Sequence, residues 1–358
     1  MLRRISLLFL VVTVLAPVSR ADSISDLIEQ GHYKRAEAAL RPQLQENPND
    51  PFANYLMSKV DIAFNRFDGA ISRAEKAVSA DGSRAEYHAQ LAEALGAKTD
   101  DPKAGMLQKL SYARRMKQEA ELALKLDPKN ADANSDLLDF YLDAPGMAGG
   151  SKDKAKELAT HVTQLDAPQG YLLQVQFARH EKRVSEVEQF YKQAIQTAPN
   201  NYNAQVGLAS LYLDQEKPQI PRAEEHARLA LKIDSRRVAA FVVLATAAAK
   251  QARWDDLDQL LADTEKNIPD DFSPHYQAGK TILLSGSGSE LARAESCFRK
   301  YLTQTPEAGT PPLAAAHWRL GLVLEKENRK DEARKELQAA VELDPSLKEA
   351  QKDLNRLN

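Results

Sequence analysis

Small and apolar residues recur along the chain at the spacing of a single helix face. One set reads Ala36-x-x-x-Leu40, and a second set, Ala70-x-x-x-Ala74-x-x-Ala77, follows it by 34 residues. Residues three and four positions apart share one face of an α-helix, so each set predicts a helix that buries one stripe. A period of this length accommodates two helices and their turns.

The same spacing returns further along the chain, and most copies end at a residue that interrupts a helix. Proline is the commonest of these, and it ends a helix because it lacks the N–H group that the next turn would need. These positions predict nine units of two helices, several of them with insertions. In chain order they are Pro48, Gly82, Pro128, Ala167, Pro199, Ser235, Pro269, Pro306 and Pro345.

At these residues the chain resembles the tetratricopeptide repeat family. The family pattern has Leu-Gly and then Tyr in a first helix, Ala and an apolar residue in a second, and Pro at the end. The first half is visible as Leu208-Ala209-x-x-Tyr212 and as Leu320-Gly321. The resemblance implies an all-α, right-handed superhelical solenoid of about nine helix-turn-helix repeats over residues 22–345, with a C-terminal capping helix at 346–358.

Composition and charge are those of a folded protein that does not bind nucleic acid. The 358 residues are 43% hydrophobic and 28% charged, and the formal net charge is −3. Nucleic-acid binding usually leaves a basic excess or a basic stripe in the sequence. This sequence has neither, so we expect no nucleic-acid partner.

The first 21 residues differ from the rest of the sequence. Arg3 and Arg4 precede an apolar run over residues 5–15, and small residues flank Arg20. This is the pattern of a signal peptide, so we expect cleavage after Ala21. The alternative, an uncleaved anchor, would need about 20 apolar residues. We therefore expect an exported protein, in a bacterial periplasm or secreted, that is not held in the membrane after cleavage.

The cysteine and histidine side chains that could carry catalysis or bind a metal are few and scattered. Cys297 is the only cysteine, which excludes an intrachain disulfide and suits a periplasmic protein stabilised by its core. We expect this thiol to pack inside a helix. The seven histidines form no His-x-x-x-His pair, whereas a zinc site needs three or four clustered ligands. We expect no enzyme activity, no catalytic or metal-binding residue and no cofactor.

Two insertions interrupt the repeats. The first covers about residues 96–107, before a long helix that starts near Met106. The second covers residues 144–152, and its loop from Gly146 to Lys152 has three glycines. Glycines before a Ser-Lys pair can bind phosphate, but a P-loop needs a strand ahead of it and Ser or Thr after the Lys. We expect Ser151 to cap the next helix, and an enzyme accessory or weak catalytic role of this loop is the alternative function.

The resemblance also implies where a partner would bind. In the family, the first helices line a concave groove, and recurring positions on them face a bound peptide or helix. We therefore expect a protein-protein interaction scaffold that binds a peptide or helix of an envelope or secreted protein. Aromatic residues dominate binding hot spots, and the alternative is that the candidate aromatics, Trp318 above all, only pack between repeats. The candidate partner-binding residues are Tyr55, Lys59, Glu93, Asp139, Tyr276, Lys280 and Trp318.

Overall fold

The structure is a computed structural model that describes residues 23–285 and 288–357. The expected signal peptide at residues 1–21, with its cleavage site after Ala21, lies outside this part of the chain. The described residues form α-helices and two short 3-10 turns, and no strand occurs among them. The α-helices are α1 (Ile24–Glu29), α2 (Tyr33–Glu46), α3 (Pro51–Ala63), α4 (Phe67–Ala80), α5 (Ala85–Thr99), α6 (Met106–Leu126), α7 (Ala131–Asp143), α8 (Lys152–Leu165), α9 (Ala167–His180), α10 (Val184–Thr197), α11 (Tyr202–Leu213), α12 (Ile220–Ile233), α13 (Val238–Lys250), α14 (Trp254–Asn267), α15 (Ser273–Ser285), α16 (Leu291–Tyr301), α17 (Leu313–Lys326), α18 (Lys330–Leu343) and α19 (Lys348–Leu357).

The helices pair along the chain as the sequence predicts. Each odd-numbered helix from α1 to α17 packs against the helix that follows it, and each pair also packs against the next pair. We call these pairs repeats one to nine and refer to their first and second helices. The all-α superhelical solenoid is confirmed, and α19 lies against α18 within the expected capping segment. None of the described helices is both long and apolar enough to cross a bilayer.

Alanine allows the helices of a repeat to approach closely. Ala36, Ala70, Ala223 and Ala333 each begin the buried stripe of a second helix, and none of them has exposed surface. A side chain of one carbon lets the neighbouring backbone come near, while larger apolar residues fill the rest of the interface. The spacing of small residues in the sequence therefore fixes how the two helices of a repeat pack.

The superhelix closes on itself through its first repeat. Gly31, with a φ of 86°, forms the turn between α1 and α2, a backbone conformation that glycine adopts without strain. Next to it, His32 is 2% exposed. Its Nε2 atom lies 3.0 Å from the carbonyl oxygen of Arg236, in the turn before α13. The first repeat thus contacts a turn more than two hundred residues away in the sequence.

Ion pairs reinforce this closing contact. The backbone N–H of Lys34 donates to Glu307 Oε2 at 3.2 Å, in the turn before α17. Arg35 Nε lies 2.8 Å from Asp270 Oδ2, in the turn before α15. The start of α2 is thereby attached to the turns that precede the eighth and ninth repeats. We call the contact of residues 32–35 with residues 236, 270 and 307 the closing contact.

Candidate partner-binding surface

Three of the expected residues meet on consecutive first helices. Lys59 Nζ on α3 lies 3.7 Å from Glu93 Oε2 on α5 and 3.0 Å from Asp132 Oδ2 on α7. The same ammonium group is 5.5 Å from the centroid of the Tyr55 ring, within the range of a cation–π contact. One lysine therefore connects the second, third and fourth repeats, and these positions share one surface.

Carboxylates dominate this surface on α5 and α7. Lys59 is the cation that pairs with them there, and although burial opposes its charge, the carboxylates of Glu93 and Asp132 raise its pKa overall. A further expected residue, Asp139, accepts a hydrogen bond from Gln176 Nε2 on α9. We call this group the acidic row; its members are Glu93, Asp132, Asp136, Asp139 and Asp143.

Burial and mutual repulsion make three carboxylates of the acidic row, Glu93, Asp136 and Asp139, hard to ionise. Burial raises the pKa of Glu93, and the nearby Asp132 adds to the effect while Lys59 opposes it. Burial also raises the pKa of Asp136 well above its usual range, and the Glu93, Asp132 and Asp139 carboxylates raise it further. An additional positive charge nearby stabilises the ionised form of such carboxylates and lowers their pKa.

The aromatic candidates of the C-terminal repeats lie elsewhere. Tyr276 is only 4% exposed, and its ring contacts those of Phe298 and Tyr301 at centroid distances of 5.7 and 5.1 Å. Its hydroxyl accepts a hydrogen bond from Arg319 Nε at 2.8 Å. Lys280 is half-buried and has no ion-pair partner among the described residues. The structure does not bring these two residues to the acidic row, and their role in binding stays a prediction.

Trp318 contacts the capping segment. Its Nε1–H group donates to Asp353 Oδ2 on α19 at 2.8 Å, and the guanidinium of Arg319 lies 4.9 Å from its ring centroid. Arg356 on α19 pairs with the same aspartate, Nη2 to Oδ1, at 3.0 Å. These contacts agree with the alternative that Trp318 packs between elements of the array.

We expect the Trp318→Phe variant to lower the free energy of unfolding by about 1 kcal/mol, because it removes the hydrogen bond to Asp353. Urea denaturation followed by circular dichroism measures this change. The matched control is Trp254→Phe, since the Trp254 indole makes no hydrogen bond to another described residue. Equal effects of the two variants would show that the bond from Trp318 does not stabilise the cap.

The first insertion starts later in the structure than the sequence predicts. Helix α5 continues through Gly96 to Thr99, so the connecting loop is residues 100–105 rather than 96–107. Helix α6 begins at Met106 as expected and has 21 residues, against 14 in α8. The additional residues extend α6 by about two turns, or roughly 10 Å, at its N-terminal end.

The second insertion is a capped turn. Residues Gly146–Ala148 form a 3-10 turn, and the Ser151 hydroxyl accepts from the Lys154 N–H at 3.3 Å, so the predicted cap is confirmed. Lys152 Nζ lies 2.7 Å from Glu181 Oε1. These contacts hold the start of α8 in place, and no observation favours the catalytic alternative for this loop.

Cys297 packs in the core, as the sequence predicts. It is 6% exposed and lies near Gly279, where a Cβ atom would be 3.1 Å from its own Cβ. Burial raises the pKa of its thiol to about 12. Because the thiolate is the reactive form of cysteine, this residue remains an unreactive thiol at neutral pH.

Sequence reasoning missed the charged cluster at the closing contact. His32 Nδ1 lies 3.3 Å from Asp270 Oδ2, and ligand-type atoms of His32, Asp270 and Glu307 all lie within 4.8 Å of one another. These residue types can bind a metal ion. The side chains of Lys34 and Arg35 already pair with the two carboxylates, so the cluster is compensated by the protein's own cations.

Two parts of the chain match models of a known protein family. Two models, both described as tetratricopeptide repeat, match residues 27–107 and residues 314–347. The first range contains the second repeat and the other covers the ninth repeat except its first residue, and the helix pairs between them have the same architecture. The chain is a tetratricopeptide repeat protein. Repeats of this family form interaction scaffolds and are in general not catalytic.

Solved structures of other repeat proteins resemble this tetratricopeptide repeat protein at low sequence identity. The human IFIT1 dimer with PPP-AAAA has a TM-score of 0.53 and 15% identity, over 93% of this chain and 80% of that one. A thermophilic TPR protein of Thermus thermophilus has a TM-score of 0.45 and 20% identity, over 53% and 95%. A tetratricopeptide repeat protein of Parabacteroides merdae has a TM-score of 0.46 and 14% identity, over 74% of this chain and 98% of that one. No curated protein matches the sequence. At this identity, the likeness to IFIT1 shows the fold alone.

Proposed function

We propose that this tetratricopeptide repeat protein is an exported adaptor that binds a basic segment of an envelope or secreted protein in its concave groove. The family supports a scaffold for protein partners. The acidic row carries the finer proposal, because its carboxylates outnumber Lys59, the cation that pairs with two of them on the same surface. The basic and apolar start of the sequence supports export.

The charge state of the row explains why the segment should be basic. The pKa values of Glu93, Asp136 and Asp139 are all raised, in each case first by burial. A lysine or arginine from a partner would stabilise the ionised carboxylates, and charge complementarity of this kind gives specificity and fast association. An acidic segment would instead be repelled.

The test is capture of partners from a cell-envelope extract. The full chain is expressed with its N-terminal segment, and the mass of the exported product shows whether cleavage follows Ala21. The product is immobilised beside the double variant Glu93→Gln, Asp139→Asn. We expect a partner that the parent retains and the double variant loses. Salt should release this partner, because dissolved ions screen the attraction between its basic segment and the acidic row before they meet.

The matched control removes two carboxylates away from the row. Asp255 and Glu349 are exposed, and the variant Asp255→Asn, Glu349→Gln changes the net charge by the same amount. It should retain the partner. A partner retained equally by all three proteins would move the binding surface away from the acidic row, and the absence of any specific partner would contradict the adaptor role.

A further inference from the structure

The two insertions meet at one cavity. Its volume is about 600 Å³, within the range of ligand pockets, and it lies between the ends of α5 and α7 and the start of α6. The extension of α6 supplies one wall, beginning at Met106, and the second insertion supplies Pro145 and Ala148. The cavity therefore exists because of the residues that interrupt the repeat pattern.

One unpartnered carboxylate lies in this cavity. Asp136 Oδ2 is shielded from solvent and has no hydrogen-bond partner among the described residues. Asp136 also forms no ion pair with another described residue, although it lines the cavity. A buried polar atom without a partner costs free energy. Such an atom in a lining position indicates that a ligand group satisfies it.

The charges that line the cavity are predominantly negative. Lys109 is the only cation among the lining residues. The acidic lining residues, five in all, are Glu93, Asp100, Asp136, Asp139 and Asp143. This imbalance favours a positively charged ligand group.

The remaining walls are apolar. Met106, Leu110, Met116 and Phe140 line the cavity, and Met106 remains 75% exposed at its edge. Met147, in the loop between two lining residues, is 91% exposed. Exposed methionines are common at surfaces that adapt to apolar partners. The ligand group is therefore a cation carried on or beside an apolar segment.

We infer that the cavity binds a lysine or arginine side chain of the partner, with apolar neighbours of that residue resting on the methionines. This inference rests on the proposed function and names the part of the partner that gives it specificity. The buried end of the side chain pairs with Asp136. The other carboxylates of the acidic row, three that also line the cavity and Asp132 beside it, then attract the rest of the basic segment.

A metal ion fits the cavity less well than an organic cation. In the described part of the chain, the one group that brings three ligand-type atoms within 4.8 Å is His32, Asp270 and Glu307. No three carboxylates of the cavity are thus close enough to coordinate one ion together. An alkyl stem also suits the apolar walls, because lysine and arginine bury their stems while their charged ends form ion pairs.

Selection from a library of random short peptides tests the inference. The purified exported protein is used, and the selected peptides are sequenced. We expect enrichment of lysine or arginine next to leucine, methionine or phenylalanine. Affinity of one selected peptide is then compared with that of the same peptide carrying citrulline, a neutral isostere of arginine, or norleucine in place of lysine. The neutral peptide should bind about tenfold more weakly.

Variants of the protein test whether the peptide binds in the cavity. Asp136→Asn should weaken binding of the selected peptide about tenfold, and Met106→Ser should weaken it several-fold. The control Asp255→Asn, at an exposed carboxylate on α14, should leave affinity unchanged. Circular dichroism confirms the fold of each variant.

Binding should also release protons, because a cation beside Asp136 lowers a pKa that burial has raised. Calorimetry in buffers of different ionisation enthalpy measures this release. It should be smaller for Asp136→Asn than for the parent.

The outcomes separate this inference from the proposed function. Selected peptides without basic residues, or full affinity of Asp136→Asn for them, would overturn the cavity assignment. If the acidic row variant still loses its envelope partner in that case, the adaptor role stands and the cavity inference alone fails. If no peptide is selected and no envelope partner is retained, both fail.

Discussion

The Gly170→Ala variant should lower the free energy of unfolding by about 3 kcal/mol, although alanine is the better helix former by about 1 kcal/mol. Gly170 lies in the first turns of α9 and packs against α8. A Cβ atom at this position would overlap the backbone N and Cα atoms of Thr163 and also its hydroxyl. Because the atoms in the way are backbone atoms, no rotamer change can relieve the overlap.

The connection between the two helices prevents them from separating. Asp166 is both the last cap of α8 and the first cap of α9, and its carboxylate accepts from the Gln169 N–H at 3.3 Å. Thr163 Oγ1 also accepts from Gln174 Nε2 at 2.8 Å. Moving α9 away to accommodate a methyl group would break these bonds, so the cost is larger than that of overpacking at a free helix end.

Urea denaturation measures the effect, with Gly146→Ala as the control. A Cβ atom at Gly146 meets nothing within 4 Å, so that variant should change the free energy of unfolding by less than about 0.5 kcal/mol. Repeat arrays can unfold in parts, and hydrogen exchange should therefore show the loss first in α8 and α9. Parent-like stability of Gly170→Ala would mean that α8 and α9 are further apart than described.

The helix pairs could be predicted because each leaves a local pattern in the sequence. The spacing from Ala36 to Leu40 and the equivalent sets mark buried stripes, and both stripe residues are fully buried. The helix that begins at Met106 and the cap formed by Ser151 were also predicted, since helix starts depend on nearby residues. The start of the first insertion was wrong, because Gly96 does not end α5 but lies within it, against Met116 of α6.

The candidate site was predicted less completely. Groove positions inferred from the family assume regular stacking, and the side chains of Tyr55, Lys59 and Glu93, at three of those positions, lie close together in the structure. Asp136 is not one of those positions. It lines a cavity only because α6 is seven residues longer than α8. Tyr276 lies in the core because Phe298 and Tyr301 contact its ring, and these long-range contacts leave no pattern in the sequence.

The closing contact could not be predicted at all. It depends on the small rotation between successive repeats, summed over the array, which decides whether His32 reaches the turn that contains Arg236. Tyr33 shows how close the ends of the array come to the acidic row. Its pKa is raised first by burial and then by the Glu93 carboxylate, and Glu307 at the closing contact raises it further. Closure and the binding surface are therefore neighbours.

Lowering the pH from about 8 to about 5 should stabilise the closing contact through Glu307. The Glu307 side chain is 1% exposed, and burial raises its pKa to about 7, with Lys34 opposing and Asp270 adding to the shift. A carboxyl group whose pKa is raised in the folded state stabilises the fold fully when the pH is below its ordinary pKa. This contribution is lost as the pH rises through the folded-state pKa of about 7. The expected gain on acidification is about 2 kcal/mol.

Asp270 limits this effect at lower pH. Its pKa is lowered in the folded state, where burial is outweighed by its contacts with His32 and Arg35. A lowered pKa contributes stability above the ordinary value of 3.8 that is lost as the pH falls through the lower value. The stabilising window of Glu307 therefore lies between its ordinary value of 4.5 and about 7, above the range in which Asp270 titrates.

The Glu307→Gln variant isolates this contribution. Glutamine keeps the size of the side chain and an oxygen that accepts the 3.2 Å hydrogen bond from the Lys34 N–H, but it does not titrate. Urea denaturation of both proteins across this pH range should show a gain on acidification that is about 2 kcal/mol larger in the parent. Protection factors at residues 30–35, which correct exchange for the pH dependence of its intrinsic rate, should rise with falling pH in the parent only. Identical pH profiles would mean that Glu307 is not buried against the first repeat, and the superhelix would then be open at this contact.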